Sequence, residues 1–295
     1  MCLIAFAIGA SPDWPLIVAA NRDERWDRPT LPLQAWQLPS GRTAWSGRDL
    51  QAGGTWLGLA EGGRVAMLTN VRTGPPEPAP RSRGELVADW LDSDQGCEDW
   101  LQRFDPSQYG GFNLVLGDLA SGRWNWVSNR AIDTQFAPAG AGSASDATPD
   151  GFGKLAPGWQ GRELEPGLYG LSNAALDTPW PKTVALKQAL QQHLDQDSPL
   201  ADADQLLGAL LQMPAAPDHD LPATGIPIEV ERQLSSPFVH APDWAYGTRS
   251  SLLVHAHADG QILLQEWTHS PQALAPDSQA RHWPLQLSRR RQLAL

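Results

Sequence analysis

Apolar residues along this chain gather in short runs separated by turn-forming residues. CLIAFAIG (2–9) and LIVAA (16–20) are continuous apolar runs on either side of Ser11-Pro12-Asp13-Trp14-Pro15. That pattern predicts two strands buried on both faces and joined by a proline-rich turn. TWLGLA (55–60) and RVAMLTN (64–70) flank Glu61-Gly62-Gly63, and FNLVLGDL (112–119) and RWNWVSN (123–129) flank Ser121-Gly122, so two hairpins follow. GLYGLSN (167–173) predicts a short strand, and SSLLVHAH (250–257) with QILLQEW (261–267) predicts a last hairpin closed by Asp259-Gly260.

Helical spacing is rarer. Leu86, Val87, Trp90 and Leu91 share one helical face after the proline run 75–80, which places a helix start at Arg83 or Gly84. Pro181 suits the first turn of a helix carrying Val184, Leu186, Ala189, Leu190 and Leu194, and a second helix covers 202–212. Residues 137–167, rich in Gly, Ala, Pro and Ser and without a period, read as a long surface loop. Neither a repeat nor a linker composition divides the chain, so 1–295 reads as one domain. Hairpins outnumber strand-helix-strand crossovers, which favours an antiparallel, layered α+β fold.

Composition narrows the function classes. With 295 residues, 41% hydrophobic and 19% charged, the chain can bury a sizeable core. Its net charge of −11 repels polyanions and argues against nucleic acid as the main partner. No run approaches the roughly 20 apolar residues of a membrane span, and no basic residue precedes Leu3 to make a signal peptide. A soluble, cytoplasmic protein is the expectation. Two cysteines and no zinc or haem-attachment spacing predict neither a disulfide framework nor a metal site. The 14 tryptophans are scattered, as core and pocket-lining aromatics are.

Cys2 is the most informative position. Removal of Met1 leaves a residue with both a thiol and a free α-amine, whose reference pKa values of about 8.5 and 7.7–8.0 are close enough for the amine to take the thiol proton. The other reading is a small residue opening a buried strand. Asn21-Arg22-Asp23-Glu24 ends the second strand as a solvated turn by composition; beside the first strand, Asp23 can accept a hydrogen bond from the α-ammonium of Cys2. Asn70, Asn173 and Arg249 each follow an apolar strand. Asparagine amides can serve an oxyanion and an arginine can steady an anion, provided that these residues converge in space.

MC at the start, NRDE with Arg28-Pro29, GGTWLG (53–58), LTN (68–70), GEL (84–86), GFNL (111–114), YGLSNAALDTPW (169–180) and YGTRSS (246–251) together resemble the NRDE family, also called the transport and Golgi organisation protein 2 family. The resemblance implies one domain of the amino-terminal nucleophile hydrolase type: a four-layer αββα sandwich of two antiparallel sheets. A more distant similarity, to the bile-salt hydrolase and penicillin V acylase group, implies Cys2 as nucleophile, Asn21 and Asp23 as its Asn-x-Asp, Asn70 as oxyanion donor, Asn173 as second asparagine and Arg249 as late arginine. Where that group has an arginine directly before Asn-x-Asp, this chain has Ala20, and Arg22, two places on, is expected on the opposite side of the strand. Asn21, Arg22 and Trp56 are read as binding residues.

The function so implied is hydrolysis of a non-peptide C–N amide or related acyl bond, with a small acyl or amide substrate and no cofactor. Members of the family are also connected with haem handling and acyl-thioester metabolism, which implies an alternative: a non-catalytic haem-binding or haem-trafficking protein, or an acyl-ligand carrier, on the same fold. The sequence marks no axial ligand for haem. His255 and His257 share a strand face, incomplete as a metal site and read as a solvated face. Gly53 and Gly54 read as a bend entering a strand, letting the backbone pass close to Cys2 while Trp56 walls a pocket.

Overall fold

In the computed structural model, which describes residues 2–74, 78–130, 158–196, 203–212, 214–269 and 286–294, the two opening apolar runs are β1 (Cys2–Ile8) and β2 (Leu16–Arg25). They pair antiparallel from Cys2↔Arg22 to Ile8↔Leu16. β2 runs further than the apolar pattern predicts, because Asn21, Arg22 and Asp23 are buried in the strand and do not form a solvated turn. Next come β3 (Thr30–Gln37), β4 (Thr43–Asp49), β5 (Leu57–Ala60), β6 (Arg64–Asn70), α1 (Gly84–Asp92), α2 (Cys97–Leu101), β7 (Phe112–Asp118) and β8 (Arg123–Ser128). The described chain continues with β9 (Gln160–Glu163), β10 (Gly167–Leu171), α3 (Pro181–Leu194), α4 (Ala203–Leu210), α5 (Ile228–Gln233), β11 (His240–Ala241), β12 (Tyr246–Ala256), β13 (Gln261–Thr268) and β14 (Gln286–Ala294).

The strands form two antiparallel sheets. One has the order β10-β1-β2-β12-β13-β14 with β11 beside β12, and the other runs in sequence from β3 to β9. Alternation along the strands sends side chains to both faces of each sheet. Cys2, Ile4, Phe6 and Ile8 meet Leu57, Leu59, Val65 and Met67 of the second sheet. Leu3, Ala5 and Ala7 pack instead under Leu186, Leu190 and Leu206 of α3 and α4. On the far face of the second sheet, Ala66, Leu114 and Leu116 lie against Leu86, Val87, Trp90 and Leu101 of α1 and α2. These three apolar seams make four layers, the αββα arrangement expected. Each fully buried aliphatic side chain contributes roughly 1.5–3 kcal/mol to holding them together.

β3 and β4 carry too many polar residues to stand out in the sequence. β3 is an edge strand, and its pairing with β4 shifts register between Leu31 and Gln34 around Pro32, as a residue with no N–H requires. Leu33 N donates instead to Glu266 Oε2 of β13 at 2.5 Å, a bridge between the sheets. Of the predicted 137–167 loop, residues 137–157 lie outside the described residues; beyond them β9 pairs with β8. His255 is not on a solvated face: it is buried, and its Nε2 lies 2.9 Å from Nε2 of His193 on α3. Among the described residues no helix is long and apolar enough to cross a membrane.

Candidate active site

The β1–β2 register places the first residues of the site. Cys2 faces Arg22 directly across the pair, and Asp23 lies one step further, on the side of the Cys2 backbone nitrogen. Two places along a strand returns a side chain to the same face. Arg22 therefore shares its face with Ala20 and with Cys2, and the expectation that it points to the opposite side is overturned. Cys2 and Arg22 open into a cleft of about 670 Å³ between the sheets, whose lining also includes Asp23 at the strand's end; Trp56 and Leu68 wall it, and Asn70, Arg83, Arg130 and Tyr246 reach it.

Each of the three is held. Ser172 Oγ donates to the Cys2 carbonyl at 3.2 Å. Thr248 Oγ1 of β12 donates to Asp23 Oδ1 at 2.8 Å, and Tyr246 Oη donates to the Asp23 carbonyl at 2.9 Å. Arg22 Nη2 stands 3.6 Å from Glu24 Oε2. Burial pushes the Cys2 thiol above its ordinary pKa, against the pull of the positive amino terminus and Arg22. Burial also raises the Asp23 carboxyl, opposed chiefly by the Lys182 ammonium. Lys182, in the first turn of α3, is itself buried and driven down to about 8, while its Nζ donates to the Leu234 carbonyl at 2.8 Å.

The other residues singled out in the sequence divide into those on the cleft and those behind it. Asn70 ends β6 half-buried on the lining, and Trp56 is beside it. Asn173 sits behind Asn70, its Nδ2 donating to the Asn70 carbonyl at 2.9 Å. Asn21 faces the helix layer, where its Nδ2 donates to the carbonyls of Leu210 and Pro237 at 2.7 and 2.9 Å and its Oδ1 accepts from Ser251 at 2.6 Å. Arg249 is the extra residue at a bulge between Thr248 and Ser250. Its Nη1 donates to the carbonyls of Arg25, Trp26 and Arg28 and so ties down the segment after β2. Gly54 serves a contact with α1: a Cβ there would stand 2.3 Å from the Gly84 carbonyl carbon.

Sequence reasoning passed over Lys182, Thr248, Tyr246, Arg83 and Arg130. YGTRSS contains two of them, Tyr246 and Thr248, and these are the ones that touch Asp23. Six of the seven histidines are described and none lines the cleft.

A family model described as "Transport and Golgi organisation 2" matches residues 1–271. The chain is 32% identical over 282 residues to the transport and Golgi organization protein 2 homolog of Bos taurus, covering 90% of this chain and 92% of that protein. Among solved structures, penicillin V acylase from Agrobacterium tumefaciens is similar at 12% identity and a TM-score of 0.46, covering 90% of this chain and 82% of that one. A mutant conjugated bile acid hydrolase from Clostridium perfringens is similar at 8% identity and a TM-score of 0.43, covering 91% and 89%.

Proposed function

This chain belongs to the transport and Golgi organisation 2 family, and we propose that it works as a cysteine hydrolase on a non-peptide C–N amide or related acyl bond. One observation carries the reading: the thiol of Cys2, at the very start of β1, lines a cleft whose register neighbours are Arg22 and Asp23. Burial favours the neutral thiol, so a nucleophile here needs a base within reach. Once Met1 is removed, the α-amine of Cys2 itself is that base.

The amine takes the thiol proton and Sγ attacks the acyl carbon. Asp23 orients the ammonium so formed, and Asn70 donates to the oxyanion of the tetrahedral intermediate. As the C–N bond breaks, the ammonium proton passes to the leaving amine. Water, deprotonated by the α-amine, then attacks the thioester, the acid departs and the thiol recovers its proton. Asn173 supports this chemistry from behind, by holding the Asn70 carbonyl, and Arg249 by fixing the segment after β2.

The test is an acyl adduct. Mature protein incubated with a panel of acyl amides and thioesters should carry one acyl group on Cys2 by peptide mass spectrometry. Cys2→Ala should abolish turnover while ligand affinity stays within a few-fold, because the nucleophile acts on the transition state more than on ground-state binding. Absence of both adduct and turnover across the panel would overturn the reading.

A further inference from the structure

The cleft's charge runs against that of the whole chain. The net charge is −11, yet seven arginines and three carboxylates line the described cleft. Some of these arginines are neutralised internally: Arg28 pairs with Asp49 at 2.7 Å and Arg72 with Glu231 at 2.7 Å. Arg83 and Arg130 are not, since no carboxylate lies within ion-pair distance of either among the described residues. Arg83 Nη1 donates to the Gly111 carbonyl at 2.9 Å and Arg130 Nη1 to the Asn129 carbonyl at 3.4 Å. Both lie against a two-glycine floor. A Cβ at Gly110 would stand 3.5 Å from Arg83 Nη1, and one at Gly111 would crowd Arg130 Nε at 3.1 Å.

Arg22 adds a third guanidinium, paired through Nη2 with Glu24 Oε2 at 3.6 Å. Its side chain is only 8% exposed, and Nη1, buried in the cleft, finds no hydrogen-bond partner among the described residues. A buried guanidinium donor without an acceptor is costly, and like charges lining the same cleft add to the cost. Planar guanidinium forks are matched by the paired oxygens of a carboxylate or phosphate, which would supply the missing acceptors.

We propose that Arg22, Arg83 and Arg130 form an oxyanion-binding subsite, so that the ligand of this cleft bears a phosphate or carboxylate group in addition to the acyl group that meets Cys2. Trp56 and Leu68 give the apolar part of such a ligand a wall. That the ligand is a substrate rests on the hydrolase reading; that the cleft takes an oxyanion does not.

The experiment follows protection of Cys2 from iodoacetamide in the full-length protein, with inorganic phosphate and succinate as separate probes and potassium chloride at matched ionic strength as the reference. Saturable protection by phosphate alone assigns a phosphoryl group, by succinate alone a carboxylate, and by both the shared chemistry; each supports the subsite. Arg83→Gln and Arg130→Gln should each raise the half-protecting concentration about tenfold or more, in keeping with the loss of one charge-assisted pair, with Arg130→Lys falling between. Protection by neither probe beyond potassium chloride in the wild-type protein overturns the subsite, whatever the variants do. So do variants that fold, by circular dichroism, and protect as well as wild type. If anions protect but the acyl panel gives neither an adduct on Cys2 nor turnover, the hydrolase reading falls and the subsite stands. If an adduct forms without anion protection, the subsite falls and the hydrolase reading stands.

Discussion

Thr248 Oγ1 donates to Asp23 Oδ1 across the β2–β12 pairing, immediately before the bulge at Arg249. The bond fixes a buried carboxyl one register step beyond the strand partner of Cys2. Asp23→Asn keeps the shape and the hydrogen-bonding capacity but removes the charge that orients the α-ammonium. Alkylation of Cys2 by iodoacetamide should slow roughly tenfold, the scale of one charge-assisted hydrogen bond. Cys97, which burial holds up at about 12, is the internal reference and should be unaffected. Equal Cys2 rates in the two proteins would remove Asp23 from the mechanism.

The α-amine exists on Cys2 only after Met1 is gone. Intact mass of protein purified from its native host should therefore lack one methionine. A mass that retains it leaves the thiol without its base and the proposed chemistry without a first step.

Arg72 and Glu231 form an ion pair at 2.7 Å with side chains only 8% and 2% exposed, and Glu231 Oε1 also accepts from Thr224 N at 3.0 Å. Removing one partner of such a pair strands a buried charge. Glu231→Ala should lower unfolding free energy by about 3–5 kcal/mol in urea denaturation. A loss under about 1 kcal/mol would show that the pair is far better solvated than its burial implies.

Burial pushes His255 down to about 3, with His193 adding to the effect, and pushes His269 down to about 4. Both are neutral in the folded chain, whereas in the unfolded chain they take up protons below about 6.5. Protonation therefore favours unfolding as pH falls, and the stability that the neutral rings contribute is complete above about 6.5. Between pH 6.5 and 4.5 the loss should reach on the order of 1 kcal/mol per pH unit for each group. Thermal melts over that range should show a falling midpoint, with a shallower slope in His255→Asn. A midpoint independent of pH would contradict the assignment.

Gly54 and Gly84 meet backbone to backbone, and neither side has a flexible group that can yield. Gly54→Ala should cost about 1–3 kcal/mol through overpacking and, by displacing the first turn of α1, weaken the Arg83 side of the cleft. Chemical denaturation combined with the anion-protection assay checks both effects. Unchanged stability would mean that α1 shifts freely.

The central strands and the main helices were legible in the chain itself. β1, β6, β7 and β12 are runs of apolar residues because both their faces are covered, and α1 and α3 show their spacing because one face packs on a sheet. β3 and β4 were not legible, since a half-exposed strand with Pro32 at a bulge has no apolar run to display.

The site divides in the same way. Residue chemistry alone singled out Cys2, Asp23 and Asn70 at strand ends, and the motifs from MC to YGTRSS carried the family resemblance. That Arg22 enters the cleft with Cys2 while Asn21 turns to the helix layer was decided by pairing, because alternation assigns a face only when the strand's partners are known. The positive cleft within a chain of net charge −11 lies still further from the sequence. Net charge is a sum over all residues, whereas a local field depends on where each charge is placed. Arg22 arrives on β2, Arg83 from the residue before α1 and Arg130 from just beyond β8, and only the packing of the two sheets brings them into one cleft with Cys2.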